Sequence, residues 1–381
     1  MAGTAVGGDW FHDQVTGLAR RGHAVAAVLP KEGPLAGRLR GSGIQVEIIP
    51  FGLTRRPRQW PALTAAELRL ARFLRAFQPD VIHAHLIIAV LACRAASCAA
   101  PGALRVTQVP GLVRLHHPAL RWLDEVTLRR DHLVLGSCAA IAREYEALRA
   151  REVAVSYYGC DVHRLDPRLP GTAFRQEFGL ASGTPTVGMV AHMYRSRLPG
   201  YQQVGVKGHE VFLDAAPLIL RRFPQARLFI VGDSLAGPTG YRQQLEARAR
   251  ALGLGGRLVF TGHRPDVGPV LAGLDVLVSP SLAESACYSM VEALLMGKGV
   301  VASNVGGLPD TVQHGATGLL VPPGDAAALA AAVASLLADP AWRAGMGRLG
   351  RERCLRQFDI AATVAQVEAL YRAGMRARAA F

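Results

Sequence analysis

Two carboxylates, Glu284 and Glu292, stand eight residues apart in the run Ser279-Pro280-Ser281-Leu282-Ala283-Glu284-Ser285-Ala286-Cys287-Tyr288-Ser289-Met290-Val291-Glu292-Ala293. Ionised carboxylates are strong acceptors for hydroxyl protons, so two of them spaced along one loop and helix suit a long, hydroxyl-rich ligand. Two acids in a helical stretch are also the ordinary make-up of a solvated face, and the pair alone decides nothing. Near the amino terminus, Gly7 and Gly8 either let backbone approach a ligand closely or make a tight turn.

The elements around these residues follow from periodicity. Leu274, Val276 and Val278 alternate before the acidic turn, and Met290, Val291, Ala293, Leu294 and Leu295 supply an apolar helical face after it. Further strands are expected within 22–29, 43–50, 79–85, 105–107, 131–137, 186–190, 228–233, 258–262, 300–304 and 317–321. Helices are expected over 9–21, 63–77, 139–148, 242–252, 326–337, 341–353 and 361–372. Strands alternating with helices predict parallel sheets covered by helices. Pro167 to Gly171 reads as a linker, since two prolines and a glycine discourage a continuous helix. Only six residues precede Gly7, so a short or missing first strand is expected.

The order Glu284-x7-Glu292, then Gly306-Gly307-Leu308-Pro309-Asp310, then His314-Gly315-x-x-Gly318-Leu319-Leu320-Val321, resembles the retaining glycosyltransferases of family 4. The resemblance implies the GT-B architecture, an α/β fold with two Rossmann-like domains facing across a cleft. Residues 1–170 would form an amino-terminal, acceptor-side domain, joined by the terminal helix of 360–381. Residues 171–359 would form the nucleotide-sugar domain.

By the same resemblance Glu284 holds the donor sugar, Glu292 contacts the nucleotide ribose, and Lys207 before Gly208 binds the donor diphosphate, with Gly7 and Gly8 beside the phosphates. A second cation, usually arginine, falls at His192, so Arg195 or Arg197 is expected to supply the charge. Asn304, Gly306 and Gly307 are expected to offer backbone donors. Relatives carry a histidine near the turn from Gln108 to Gly111 that is lacking here, which makes His116, or His117, the candidate substitute. Asp310 stands where a glutamate is usual and is expected to keep a capping role. The implied chemistry is front-face transfer of a hexosyl group from a nucleoside-diphosphate sugar, UDP-linked by the broad family pattern. Both carboxylates stay ionised in this scheme, and neither a metal nor another cofactor is expected. The acceptor classes are an aminocyclitol on the way to an antibiotic, another small molecule, or a lipid-linked glycan. A GT-B sugar-nucleotide epimerase and a non-catalytic sugar-nucleotide-binding paralogue are the alternatives.

Composition narrows the partners. A formal charge of +14 favours encounter with anions, and the arginines at 55, 56 and 58 and at 372, 376 and 378 suit peripheral association with the inner face of a membrane. General solubility explains the same residues. No nucleic-acid-reading motif accompanies them, so no specific nucleic acid is expected. The six cysteines form no CxxC pair, and a cytoplasmic location is expected. The apolar run from Leu86 to Leu91 stops before Arg94 and is too short to span a bilayer. His83 and His85 alternate on one face of a strand and are either acceptor contacts or core residues.

Overall fold

Short apolar runs rich in valine, leucine and isoleucine, buried on both faces, become parallel strands once helices cover them. The computed structural model describes residues 9–52, 58, 60–111, 117–195, 204–234 and 240–379. Chain packing divides it into two units, Met1–Asp161 with Gln357–Phe381, and Val162–Arg356. Residues 162–170 thus pack with the second unit, and the chain returns to the first at Gln357. Among the described residues no helix is long and apolar enough to cross a membrane.

In the first unit β1 (Ala26–Leu29) and β2 (Gln45–Ile48) pair in parallel. A separate four-stranded parallel sheet runs β3 (Val81–His85), β4 (Leu104–Val109), β5 (Leu133–Gly136) and β6 (Val153–Val155). Leu104, Val106, Leu133 and Leu135 pack on Val364, Val367 and Tyr371 of the helix Ile360–Ala379. Behind the sheet Arg94 is buried with Asp124 and Asp131, at 2.8 and 2.6 Å, and Tyr145 donates to the other Asp124 oxygen at 2.7 Å. The expected first strand lies outside the described residues.

The second unit holds one six-stranded parallel sheet in the order β12-β11-β10-β7-β8-β9. Its strands are β7 (Thr186–Val190), β8 (Arg227–Val231), β9 (Leu258–Gly262), β10 (Val276–Ser279), β11 (Gly299–Ser303) and β12 (Leu319–Val321). Connectivity runs outward in opposite directions from the neighbouring strands β7 and β10. Such a reversal splays the two following loops apart, and the crevice between them at the carboxyl ends is where ligands bind in open α/β sheets.

Candidate active site

The loops leaving β7 and β10 carry the two charged residues singled out by the sequence. Lys207 ends the β7 connection just before the helix His209–Arg222, and Glu284 lies in the turn between β10 and the helix Tyr288–Leu295. The Lys207 ammonium donates to Glu284 Oε2 at 2.5 Å. The Leu282 amide donates to the Val206 carbonyl at 2.8 Å and holds the two loops together. Ser281 Oγ donates to the same carboxylate oxygen at 3.4 Å, and the Ser285 amide donates to the other at 3.2 Å.

Two glycines make this approach possible. Gly208 has φ 75°, and a Cβ there would lie 1.8 Å from the Pro280 carbonyl oxygen. Gly306 has φ 56°, and its Cβ would fall 1.7 Å from the Glu284 carbonyl oxygen. Only glycine permits both the positive φ and the contact. The acidic turn is therefore gripped from two sides by backbone.

Burial alone would lower the Lys207 pKa, but the Glu284 carboxylate opposes it, with help from Tyr194 and Cys287, and the net direction is upward. The lysine stays charged. The first-turn amides of the helix behind Gly208 have no acceptor within the helix, which adds partial positive charge beside Lys207. An anion entering here meets an ammonium and a helix amino terminus together.

Glu292 lies in the helix Tyr288–Leu295 that follows the Glu284 turn and is partly buried. Burial pushes its carboxyl up to about 7, with Asp266 acting the same way and Arg164 opposing. Without ligand Glu292 is therefore held partly protonated near neutral pH, whereas the transfer scheme uses its ionised form.

His192 stands at the position of the second cation, for which Arg195 or Arg197 is the expected source of charge. Burial, with His263 and Lys207, outweighs a hydrogen bond to the Asp233 backbone and lowers its pKa, so the ring is neutral at pH 7 and supplies no cation. Arg195 donates to Gln244 and lies 5.9 Å over the Tyr241 ring, so its charge is drawn toward the helix Gly240–Ala251. Arg197, His116, Gly7 and Gly8 lie outside the described residues. The Asn304 amide is occupied by the Val321 carbonyl at 2.8 Å, and the Val305 amide by Ser303 at 2.9 Å. Among the described residues the Gly306 and Gly307 amides have no such acceptor, and they are the donors this turn can offer. Gly307 is the N-cap of the short helix Leu308–Thr311, and Asp310 stands in its first turn, where an acid complements the helix amino terminus.

Tyr194 and Ser281 were not singled out by sequence. Tyr194 is coupled electrostatically to both Lys207 and Glu284, and burial raises its pKa. Tyr194 directly precedes Arg195 in the basic loop, which is the one sign of it in the sequence. In the first unit His83 and His85 stack at 4.2 Å, and their Nδ1 atoms meet Tyr371 and Tyr158 hydroxyls at 2.5 and 3.4 Å. Burial lowers His83 to about 3, which leaves it neutral. No group of three or more metal-ligating side chains occurs among the described residues.

Two family models account for most of the chain. "Glycosyl transferase 4-like domain" matches residues 8–160 and "Glycosyl transferases group 1" matches 193–339. A 2-deoxystreptamine N-acetyl-D-glucosaminyltransferase of Streptomyces fradiae is 30% identical over 301 residues, 73% of this chain and 67% of that protein. The chain belongs to the family 4 glycosyltransferases. A 2-deoxystreptamine glucosyltransferase of Streptomyces kanamyceticus is 29% identical over 326 residues, 78% of each chain. Among solved structures, Anabaena HepE in complex with UDP-glucose matches with a TM-score of 0.80 and 23% identity over 98% of both chains. That likeness establishes the fold, two Rossmann-like domains of the GT-B class.

Proposed function

We propose that this family 4 enzyme transfers a hexosyl group from a UDP-sugar to an aminocyclitol, with retention of anomeric configuration. The observation that carries the reading is the Lys207–Glu284 pair, held at the strand reversal between Gly208 and Gly306. Lys207 and the helix terminus beside it neutralise the diphosphate as the bond to the sugar breaks. The incoming phosphate competes with Glu284 for the ammonium, which frees a carboxylate oxygen to accept sugar hydroxyls. Gly306 and Gly307 present amides to the same region, and Glu292 accepts from the ribose diol once ionised. The acceptor hydroxyl attacks on the leaving-group face and passes its proton to a phosphate oxygen. The unit Met1–Asp161 with Gln357–Phe381 is read as the acceptor side, and Val162–Arg356 as the donor side.

Two relatives named for 2-deoxystreptamine favour an aminocyclitol over a lipid-linked glycan. The six free thiols suit a reducing cytoplasm. The deciding experiment is mass-resolved turnover of UDP-sugars against aminocyclitols and lipid-linked sugars, with the new anomeric linkage read by NMR. A hexosylated aminocyclitol with retained configuration is expected. Inversion would refute the mechanism, and product only from lipid-linked sugars would refute the acceptor.

A further inference from the structure

Three arginines and a histidine gather where the strands of the first unit begin. Arg105 is the second residue of β4, His132 immediately precedes β5, Arg151 lies just before β6, and Arg378 comes from the end of the helix Ile360–Ala379. Arg378 reaches over to donate to the Gly102 and Pro101 carbonyls at 2.6 and 3.1 Å. Arg105 Nε donates to the Arg130 carbonyl. The acid whose charge reaches Arg105, Asp131, is already engaged by Arg94 at 2.6 and 3.1 Å.

The imidazole shows what this cluster lacks. His132 Nδ1 accepts the Arg105 backbone amide at 2.9 Å, so the single proton of the neutral ring sits on Nε2. That Nε2–H faces Arg105 Nη2, also a donor, at 3.0 Å. Two donors converge, and an acceptor beside them, at hydrogen-bond distance from each, would satisfy both. Protonating the ring gives no relief, since Nδ1 would then become a donor against the Arg105 amide. Burial, then Arg105, Arg378 and Arg151, hold His132 down to about 4, so the neutral ring is the working form. Burial and the neighbouring arginines likewise lower Arg105.

We infer that Arg105, His132, Arg151 and Arg378 form an oxyanion site that takes a phosphate group, either free or on a lipid headgroup. It shares no residue with the Lys207–Glu284 centre. Bound phosphate accepts from His132 Nε2–H and Arg105 Nη2, and the other two arginines add charge at longer range.

The test follows the His132 ring by 1H–15N NMR in the full chain while phosphate replaces chloride at constant ionic strength. A saturable shift at millimolar phosphate is expected. Arg151→Ser, on an exposed side chain outside the transfer site, should weaken it about 10-fold and leave sugar transfer unchanged. Sedimentation with phosphatidylglycerol or phosphatidylcholine vesicles separates the sources. Capture by the anionic vesicles that is lost in Arg151→Ser assigns a lipid phosphate, and an NMR response without capture assigns free phosphate. No His132 response to either form up to about 20 mM, or equal responses in wild type and Arg151→Ser, overturns the site.

Discussion

Lys207 and Glu284 satisfy each other in the free protein, so each should cost more when removed alone than a solvent-exposed charge would. Lys207→Ala leaves a nearly buried carboxylate without its cation and removes the charge that meets the diphosphate. A fall in kcat of about 10²–10³ is expected, the range for losing one preorganised electrostatic donor. Lys207→Arg should recover only part of it, because a planar guanidinium does not fit the place of a compact ammonium. Steady-state turnover at saturating donor checks both, and near wild-type kcat in Lys207→Ala would remove this residue from the mechanism. The sequence made this pair legible through the lysine–glycine step and the paired glutamates. It did not show that the two touch, since contact across 77 positions depends on the strand reversal.

Glu292 carries a different prediction, one about pH. Its carboxyl is raised to about 7 by burial, so the folded chain holds the proton more tightly than the unfolded chain does. The stability contribution of this group is then fully present below the ordinary carboxylate range and is lost as pH rises toward 7. Glu292→Gln should raise stability by about 1–2 kcal/mol above pH 7 and change it little in acid, as read from denaturant midpoints. Function runs the other way, since only the ionised form accepts both ribose hydroxyls. Donor KM in the wild type should fall between about pH 6 and about pH 8, and Glu292→Gln should show a raised, flat profile. A wild-type KM that is constant over that range would contradict the ribose role. No sequence pattern could have revealed this shift, because it comes from burial around the helix and from Asp266, against the opposing charge of Arg164.

At the scale of elements, the apolar periodicity anticipated the parallel strands well, and β7 matches its expected range of 186–190. Elements with one clear period, such as the alanine-rich helix Ala326–Ala338, are specified locally. The buried Arg94 network was not legible, because arginine at the end of an apolar run reads as a boundary to a hydrophobic segment. Here it instead crosses the interior to Asp124 and Asp131, with Thr127 Oγ1 accepting at 2.8 Å. Arg94→Met leaves two buried acids without a cation, and a loss of about 3–5 kcal/mol is expected by denaturant unfolding. Gly306→Ala tests the acidic turn. The positive φ and the carbonyl at 1.7 Å leave no room for a methyl group, so the Glu284 turn must shift. Transfer should fall by at least about 10-fold while the fold persists, since misplacement by an ångström at a reacting centre has effects of this order.

For the whole molecule, the chain order does not follow the packing order. The helix Ile360–Ala379 follows the entire second unit in sequence yet packs on the first, burying Val364, Val367 and Tyr371 against the sheet. Glu368 is nearly buried on the same helix and accepts from Arg21 at 2.5 Å and Arg372 at 2.6 Å, with His23 at 3.0 Å. Gly159 lies so close to this segment that a Cβ would come within 2.1 Å of Thr363 Oγ1. Removing 357–381 would expose the face formed by Leu104, Val106, Leu133 and Leu135, whereas the six-stranded sheet of Val162–Arg356 keeps all its strands. Each buried aliphatic side chain contributes about 1.5–3 kcal/mol, and three large residues of the helix are lost together, which exceeds the margin of an ordinary domain once the sheet's own exposure is added. Calorimetry of the truncated chain should therefore show one surviving transition, assigned to the second unit by hydrogen exchange of β7 and β10. Retention of protection in β4 and β5 after truncation would mean that the first sheet does not depend on the returning helix.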